Sequence, residues 1–230
     1  MLAGHFAVGL AAKRIEPAVS TGTVVLAAML ADFLWCIFML AGWEHVEFRP
    51  GRGAANYLAA SNIAISHSLL MDAIWASLTA AAYYWARRRT RGAWVVFGAA
   101  LSHWLLDWIS HRPDMPVSPG VNRYFGLGLW TSIPSALFVE GGLWALAVIL
   151  YARTTKAKSR TGVYAYWIVV AILTLAWYNN LAGPPPGNPQ TAPIGSLLFF
   201  SLAVAWAYWM NRLRRENNRS PMEGVAAGSS

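Results

Sequence analysis

Long apolar runs constrain this chain more than any other feature of its sequence. The run from Val24 to Trp43 contains one charged residue, Asp32, and uncharged, mostly apolar runs return at Val163–Trp177 and Ile194–Met210. Runs of about 18 to 20 apolar residues are long enough to cross a bilayer as helices. Only 12% of the residues are charged, which is about half the fraction in a soluble domain. The sequence therefore predicts an all-α, polytopic transmembrane helical bundle.

Turn-forming sequences divide these apolar runs into separate helices. The breakers are RPGRG at 49–53, RPDMPVSPG at 112–120 and GPPPGNP at 183–189. We expect a single integral-membrane domain over residues 1–215, followed by a disordered cytoplasmic tail over 216–230. The six long predicted segments are 18–43, 62–86, 93–110, 130–152, 163–182 and 194–211, preceded by a short N-terminal helix over 1–12.

The positive charges predict how these segments are oriented. Four clusters, at 13–14, 87–91, 153–160 and 212–219, hold 14 of the 18 lysines and arginines. Such asymmetry between alternate loops is typical of cytoplasmic loops under the positive-inside rule, and it predicts a cytoplasmic C-terminus. It also argues against a nucleic-acid partner, although the net charge is +8. At the N-terminus the positive charges follow the apolar stretch, so we expect that stretch to be retained and not cleaved as a signal peptide.

The sequence SHWLLDWISHRPD, at 102–114, places titratable residues at the end of an apolar segment. His103 and Asp107 are four residues apart and therefore share one face of a helix. His111 continues that face before Pro113 ends the helix. A histidine and a carboxylate one turn apart can bind a divalent ion together, or the carboxylate can orient the imidazole. The spacing alone leaves both arrangements open.

Three more such residues lie at comparable depth in other segments. With a helix rise of about 1.5 Å per residue from the cytoplasmic ends, Asp32, His67, His103 and Asp107 fall in the outer half of the membrane, and His5 lies nearer the midplane. A lone intramembrane histidine would more often be a hydrogen-bonded packing residue. Charged groups inside a membrane are energetically costly, however, so their presence indicates a functional site. Because these side chains come from four segments, we expect a shared metal or proton site.

The other polar residues of these segments have less specific roles. Asp72 can pair with a neighbouring hydroxyl or indole group, and Glu140 is a candidate for supporting the site from outside. The Pro-rich stretch HRPDMPVSPG predicts an ordered loop over the outer mouth of the site, with His111 or Asp114 at the rim of the pocket. The single cysteine, Cys36, excludes a disulfide framework and predicts a core position.

SHSLL at 66–70 and SHWLLDWISHRPDMP at 102–116 resemble the bacterial inner-membrane proteins described as membrane-bound metal-dependent hydrolases, the YdjM-like group. That group has an early histidine, an acidic site in the next segment, a THS-type motif, and an HxxLD motif before a Pro/Gly-rich loop. The matching residues, over about residues 1–120, are His5, Asp32, His67 and the pair His103 and Asp107. Two features depart from the group: Asp32 stands where paired acids are common, and NIAISHS lacks the HRG that usually precedes THS.

The resemblance implies a divalent metal ion, zinc in the first place, bound by His67, His103 and Asp107 with His5 or Asp32 completing the ligand set. The implied function is a membrane-embedded hydrolase that acts on a lipid or an amphipathic ester or phosphoester from the outer half of the membrane. A carboxylate off the metal, Asp32 or Asp72, would then be the general base. The chain has no GxSxG motif, which argues against a serine nucleophile.

Two other functions remain compatible with the same residues. A transporter or ion-binding membrane protein would use the cluster to relay protons or to bind a cation. A polar path continuing to the cytoplasmic side would favour transport, whereas a closed pocket with three convergent ligands would favour an enzyme. A structural, lipid-interacting protein without chemistry is the third possibility.

Overall fold

The structure is a computed structural model that describes residues 1–48, 58–184 and 191–217, and within these ranges the chain is mostly α-helical. Most of the breakers at 49–53 and 183–189 and nearly all of the predicted tail lie outside the described residues. The described α-helices are α1 (Leu2–Ile15), α2 (Thr21–Ala28), α3 (Leu30–Leu40), α4 (Ala64–His67), α5 (Leu69–Arg87), α6 (Thr90–Ser110), α7 (Ile133–Thr154), α8 (Arg160–Ala182) and α9 (Ala192–Leu213).

Three of these helices, α7, α8 and α9, are long and apolar enough to cross a membrane, and the bent pair of α2 and α3 makes a fourth if it counts as one span. The fold class predicted from the sequence is confirmed in this coarser form. Helices α5 and α6 have the length of a span but are less apolar. The six crossings that the sequence predicts are therefore not all recovered by length and composition.

The predicted segment 18–43 is broken into two helices. Helix α2 ends at Ala28, and α3 begins at Leu30 with its axis bent by 56° from that of α2. Because α2 ends there, the carbonyl group of Ala28 has no amide partner in its own helix and is free to accept a hydrogen bond from elsewhere. The break also places Asp32 in the first turn of α3.

The predicted segment 62–86 is broken in a similar way. The short helix α4 ends at His67, Ser68 has an extended backbone, and the Ser68 side chain caps α5 by accepting a hydrogen bond from the Met71 amide. The serine hydroxyl satisfies an amide that the first turn of a helix leaves without a partner. Because of this local break, His67 lies at the end of α4, with its Nε2 atom 3.6 Å from Oδ1 of Asp32 in the first turn of α3.

Helix α1 is buried among the other helices along most of its length. It packs against α2, α6 and α7. A Cβ atom on Gly9 would lie 2.9 Å from the Cα atom of Val25 in α2, so only glycine allows this approach. The short N-terminal segment is thus a core helix, which explains how 14 residues, about 21 Å of helix, fit a bundle of longer ones.

The described residues of the four basic clusters lie at one end of the bundle. At that end the Lys13 ammonium group donates hydrogen bonds to the carbonyl groups of Pro17 and Val19, and Arg91 pairs with Glu16 at 3.1 Å. Two short strands, β5 (Thr155–Ala157) and β6 (Arg214–Glu216), join the ends of α7 and α9 there. The predicted tail begins inside β6, and its residues 218–230 lie outside the described residues.

The opposite end of the bundle carries two short antiparallel pairs of strands. They are β1 (His45–Phe48) with β2 (Leu58–Asn62), and β3 (Met115–Pro116) with β4 (Tyr124–Phe125). Met115 is fully buried, and the Trp104 indole donates a hydrogen bond to the Pro116 carbonyl group at 3.1 Å. The Pro-rich stretch after α6 is therefore an ordered part of the fold.

Candidate metal centre

Five titratable side chains converge near the end of the bundle that lies opposite the basic clusters. They come from four parts of the chain that the sequence separates widely: His5 in α1, Asp32 in α3, His67 in α4, and His103 with Asp107 in α6. Four of the five are buried, whereas the Asp32 side chain keeps 21% of its surface exposed. The cluster is thus shielded from solvent on every side except that of Asp32.

Two groups of three donors in this cluster could each hold an ion, and they share His103: Asp32 with His67 and His103, and His5 with His103 and Asp107. The Oδ2 atom of Asp107 lies 3.2 Å from Nε2 of His103 and 3.9 Å from Nε2 of His67. The Oδ1 atom of Asp32 lies 3.6 Å from Nε2 of His67 and 3.8 Å from Nε2 of His103. Ligand atoms around a tetrahedral zinc ion with bonds of about 2.0–2.1 Å are separated by about 3.3–3.4 Å. The nitrogen–oxygen separations of 3.2 to 3.9 Å lie around and above that value, so either group of three could hold a divalent ion.

The His103 ring is oriented with its Nε2 atom toward the carboxylates of Asp32 and Asp107. Its Nδ1 atom lies 2.8 Å from the Ala28 carbonyl oxygen, which can only accept, so Nδ1 carries a proton, and in the neutral ring Nε2 is then the unprotonated nitrogen. Nε2 is buried and has no hydrogen-bond partner among the described residues, although Asp107 is near it. An unprotonated ring nitrogen facing carboxylate oxygens in a buried site is the arrangement that a cation would satisfy.

His67 presents its ring in the same sense. Its Nδ1 atom lies 2.7 Å from the Ser66 hydroxyl oxygen, and its Nε2 atom faces Asp32 and Asp107. Ser66 in turn donates a hydrogen bond to the buried carboxylate of Glu44. Both histidines that face these two carboxylates with Nε2 are therefore fixed by a hydrogen bond at Nδ1.

His5 contacts the cluster from the other side of Asp107. Its Nε2 atom lies 3.1 Å from Oδ1 of Asp107 and 3.0 Å from the amino group of Met1, which also contacts that oxygen. Its ring stacks on His103 with ring centroids 3.7 Å apart. His5, His103 and Asp107 also have donor atoms close enough together to hold an ion as a group of three. His5 can therefore act as a further ligand or fix the Asp107 carboxylate.

A cavity of ≈ 190 Å³ opens onto the cluster. Asp32, His67 and Asp107 form one part of its wall. Most of the remaining wall is apolar and comes from several helices, including α9; these residues are Leu2, Trp35, Val46, Ile63, Trp130, Ala192 and Phe200, with Asn180 and Ser196 as polar members. Polar chemistry at one wall and apolar surface elsewhere suit an amphipathic ligand.

The two rim residues predicted from the loop after α6 have different positions. His111 lines the cavity, and its ring lies against Trp130 with centroids 4.9 Å apart. Asp114 lines a separate cavity between the strands and contacts His111 from behind, with Oδ1 3.2 Å from Nδ1 of the imidazole. Asp114 therefore contacts a rim residue from a neighbouring cavity, and its own role at the rim stays a prediction.

Asp72 lies outside the wall of the described cavity. Its carboxylate is buried and accepts a hydrogen bond from the backbone amide of Trp104 at 3.3 Å, and Asp72 is absent from the described cavity wall. A general base must reach the water or group that it deprotonates. In the structure the Asp72 carboxylate joins α5 to α6, and its role as a general base stays a prediction.

Glu140 and Cys36 also have defined positions. The Glu140 carboxylate accepts a hydrogen bond from the Trp130 indole at 2.7 Å, so it supports the cavity wall without lining it. Cys36 is fully buried in the core of the bundle. Glu44 and the Ala28 carbonyl group were not predicted as parts of the site, because neither lies at a recognisable spacing from the histidines that they support.

A helical bundle with membrane-spanning helices and a buried His/Asp cluster defines an integral-membrane protein with a candidate metal centre. The chain belongs to the YdjM inner membrane protein family, whose model matches residues 1–182. The match extends beyond residue 120, where the resemblance noted in the sequence ended, and includes α7 and α8. Neither the curated proteins nor the solved structures contain a match to this chain.

Proposed function

We propose that this protein is a membrane-embedded, metal-dependent hydrolase whose ion is bound by Asp32, His67, His103 and Asp107, with His5 as a further ligand. The observation that carries the proposal is the buried Nε2 of His103, which has no hydrogen-bond partner in the described part of the chain while two carboxylates face it. Nitrogen and oxygen donors at tetrahedral spacing suit zinc. Such an ion, when bound, supplies Lewis-acid activation of water near neutral pH.

Residues near the ion would accept the proton and bind the substrate. Asp32 lies at the boundary between cluster and cavity, so its second carboxylate oxygen is the group that would accept a proton from an attacking water. The apolar wall would hold the hydrocarbon part of an amphipathic ester or phosphoester, with the scissile group toward Asp32 and His67. His111 at the rim would contact the polar part of such a substrate.

The residues below the cluster favour hydrolysis over transport. Between the cluster and the basic end, α1, α2, α5 and α6 pack through an apolar layer of small and branched residues: Ala12, Val19, Val24, Ala27, Ala28, Ala76, Val96, Ala99 and Ala100. A transporter would need a polar path through this layer. The cluster is instead open to one cavity, which supports a reaction site approached from one side.

Metal analysis and hydrolysis assays test this proposal together. We expect detergent-purified protein to carry about one zinc ion per chain, and to hydrolyse at least one of a panel of short-chain glycerol esters, phosphodiesters and lysophospholipids. Removing the metal with a chelator should abolish the hydrolysis, and adding Zn²⁺ should restore it. Protein that binds no divalent ion would contradict the metal centre, whereas metal-loaded protein without hydrolysis would favour an ion-binding role.

We further propose that all six predicted segments cross the membrane in one domain, with the basic end in the cytoplasm. The placement of the described residues of the four basic clusters at one end supports this orientation. In a Cys36→Ser background, a membrane-impermeant thiol reagent should label Asn122→Cys in intact cells and should label Lys156→Cys only after lysis. Both positions are exposed, so burial does not decide the result. Labelling of Lys156→Cys alone in intact cells would reverse the orientation.

A further inference from the structure

Glu44 is a fully buried carboxylate four residues beyond the end of α3. Its Oε1 atom accepts hydrogen bonds from the backbone amides of Ile65 at 2.9 Å and Ser66 at 2.8 Å. Its Oε2 atom accepts from the Ser66 hydroxyl group at 2.6 Å. Three donors on one carboxylate offset the cost of burying its charge and fix its position.

The direction of these hydrogen bonds determines which nitrogen of His67 carries the proton. An ionised carboxylate only accepts, so the single proton of the Ser66 hydroxyl points to Glu44, and its lone pairs remain as acceptors. The Ile63 carbonyl group, at 3.4 Å from the hydroxyl oxygen, also only accepts and would leave the same lone pairs. His67 must then donate from Nδ1 to Ser66, which leaves an unprotonated Nε2 toward Asp32 and Asp107.

We propose that Glu44 is a positioning residue of the candidate metal centre, and that it acts through Ser66 to hold His67 in the tautomer that binds a cation. This inference rests on the proposed metal centre. Capping the four-residue helix α4 accounts for the two backbone amides on Oε1, but it does not account for the hydroxyl on Oε2 that links Glu44 to the histidine ring. Outer partners of this kind orient a ligand and fix its tautomer.

Glu44→Gln separates the capping role from the relay. The amide oxygen can still accept from Ile65 and Ser66, but the amide nitrogen would donate to the Ser66 hydroxyl oxygen. Ser66 would then turn its own proton toward His67, whose proton would move to Nε2. Ser66→Ala removes the relay and leaves both backbone hydrogen bonds of Glu44 in place.

The tautomer can be read directly from the ¹⁵N chemical shifts of the His67 ring in metal-free protein, with the signals assigned by their loss in His67→Gln. We expect a protonated Nδ1 in the wild type and a shift of the proton to Nε2 in both variants. We also expect both variants to bind Zn²⁺ about 10- to 100-fold more weakly, which is the usual cost of losing an outer partner. Glu16→Gln, a matched exchange at the basic end, should change neither measurement.

The two measurements separate this inference from the metal centre on which it rests. If the wild type binds no Zn²⁺, the metal centre is wrong, while the ring shifts still report whether Glu44 sets the tautomer. If His67 keeps its proton on Nδ1 in both Glu44→Gln and Ser66→Ala, the relay is wrong. A tautomer that moves without any change in Zn²⁺ affinity would also overturn the proposed role.

Discussion

Asp107→Asn should weaken Zn²⁺ binding by more than about 100-fold, beyond the usual cost of losing an outer partner. Both carboxylate oxygens of Asp107 face histidines of the cluster. Its Oδ2 atom lies near His103 and His67, and its Oδ1 atom contacts His5. Asparagine has nearly the same volume but no charge and only one oxygen. A competition titration against a chromophoric chelator measures the loss.

Asp72→Asn is the matched control for this exchange. Asp72 is also a buried aspartate beside α6, but its carboxylate contacts the Trp104 backbone and does not line the cavity. The Zn²⁺ affinity of the Asp72→Asn variant should stay close to that of the wild type. If Asp107→Asn kept wild-type affinity, or if both exchanges weakened binding equally, Asp107 would not be a specific ligand of the ion.

The sequence predicted the cluster where local spacing was sufficient to place the side chains. Helix α6 is continuous from Thr90 to Ser110, so the four-residue spacing of His103 and Asp107 survives as a shared face in the structure. Depth along the chain then indicated which residues of other segments could meet that face. The same two considerations identified His5, Asp32 and His67, which the structure brings to it.

The parts that the sequence did not predict depend on breaks and on long-range contacts. Met29 marks the break between α2 and α3, yet neither proline nor glycine stands at that position to indicate it. The freed Ala28 carbonyl group instead accepts from His103, which is 75 residues away in the chain. Glu44 accepts a hydrogen bond from Ser66, which is 22 residues later in the chain. Such contacts arise from tertiary packing and have no local pattern.

The position of Asp72 outside the cavity wall also depends on a helix break. A continuous helix over 62–86 would have placed Asp72 and His67 on one rigid element near the same cavity. The break at Ser68 separates them, so His67 faces the cluster from α4 while Asp72 packs against the backbone of α6. Helix breaks of this kind are stabilised by capping side chains such as that of Ser68. Serine also bonds to the backbone in turns, so the residue type alone does not indicate a break.

Gly126→Ala should lower the free energy of unfolding by about 1–3 kcal/mol, the usual cost of overpacking, and should displace the rim of the cavity. A Cβ atom on Gly126 would overlap the carbonyl oxygens of His111 and Arg112, which are backbone atoms that no side-chain rotation can move. The neighbouring backbone is tied to the same region, since the Leu127 amide donates to Trp108 at 2.8 Å. Relieving the overlap must therefore move His111.

Gly98→Ala in α6 is the control for replacing a glycine by alanine. A Cβ atom there has no other group within 4 Å, and alanine has a higher helix propensity than glycine. It should leave the thermal midpoint in detergent unchanged or slightly raised. Gly126→Ala should lower that midpoint and reduce hydrolysis, while Zn²⁺ affinity changes little because His111 is not one of the proposed ligands. Equal midpoints for the two variants would mean that the loop tolerates the added methyl group, and His111 would then not depend on a close backbone contact at Gly126.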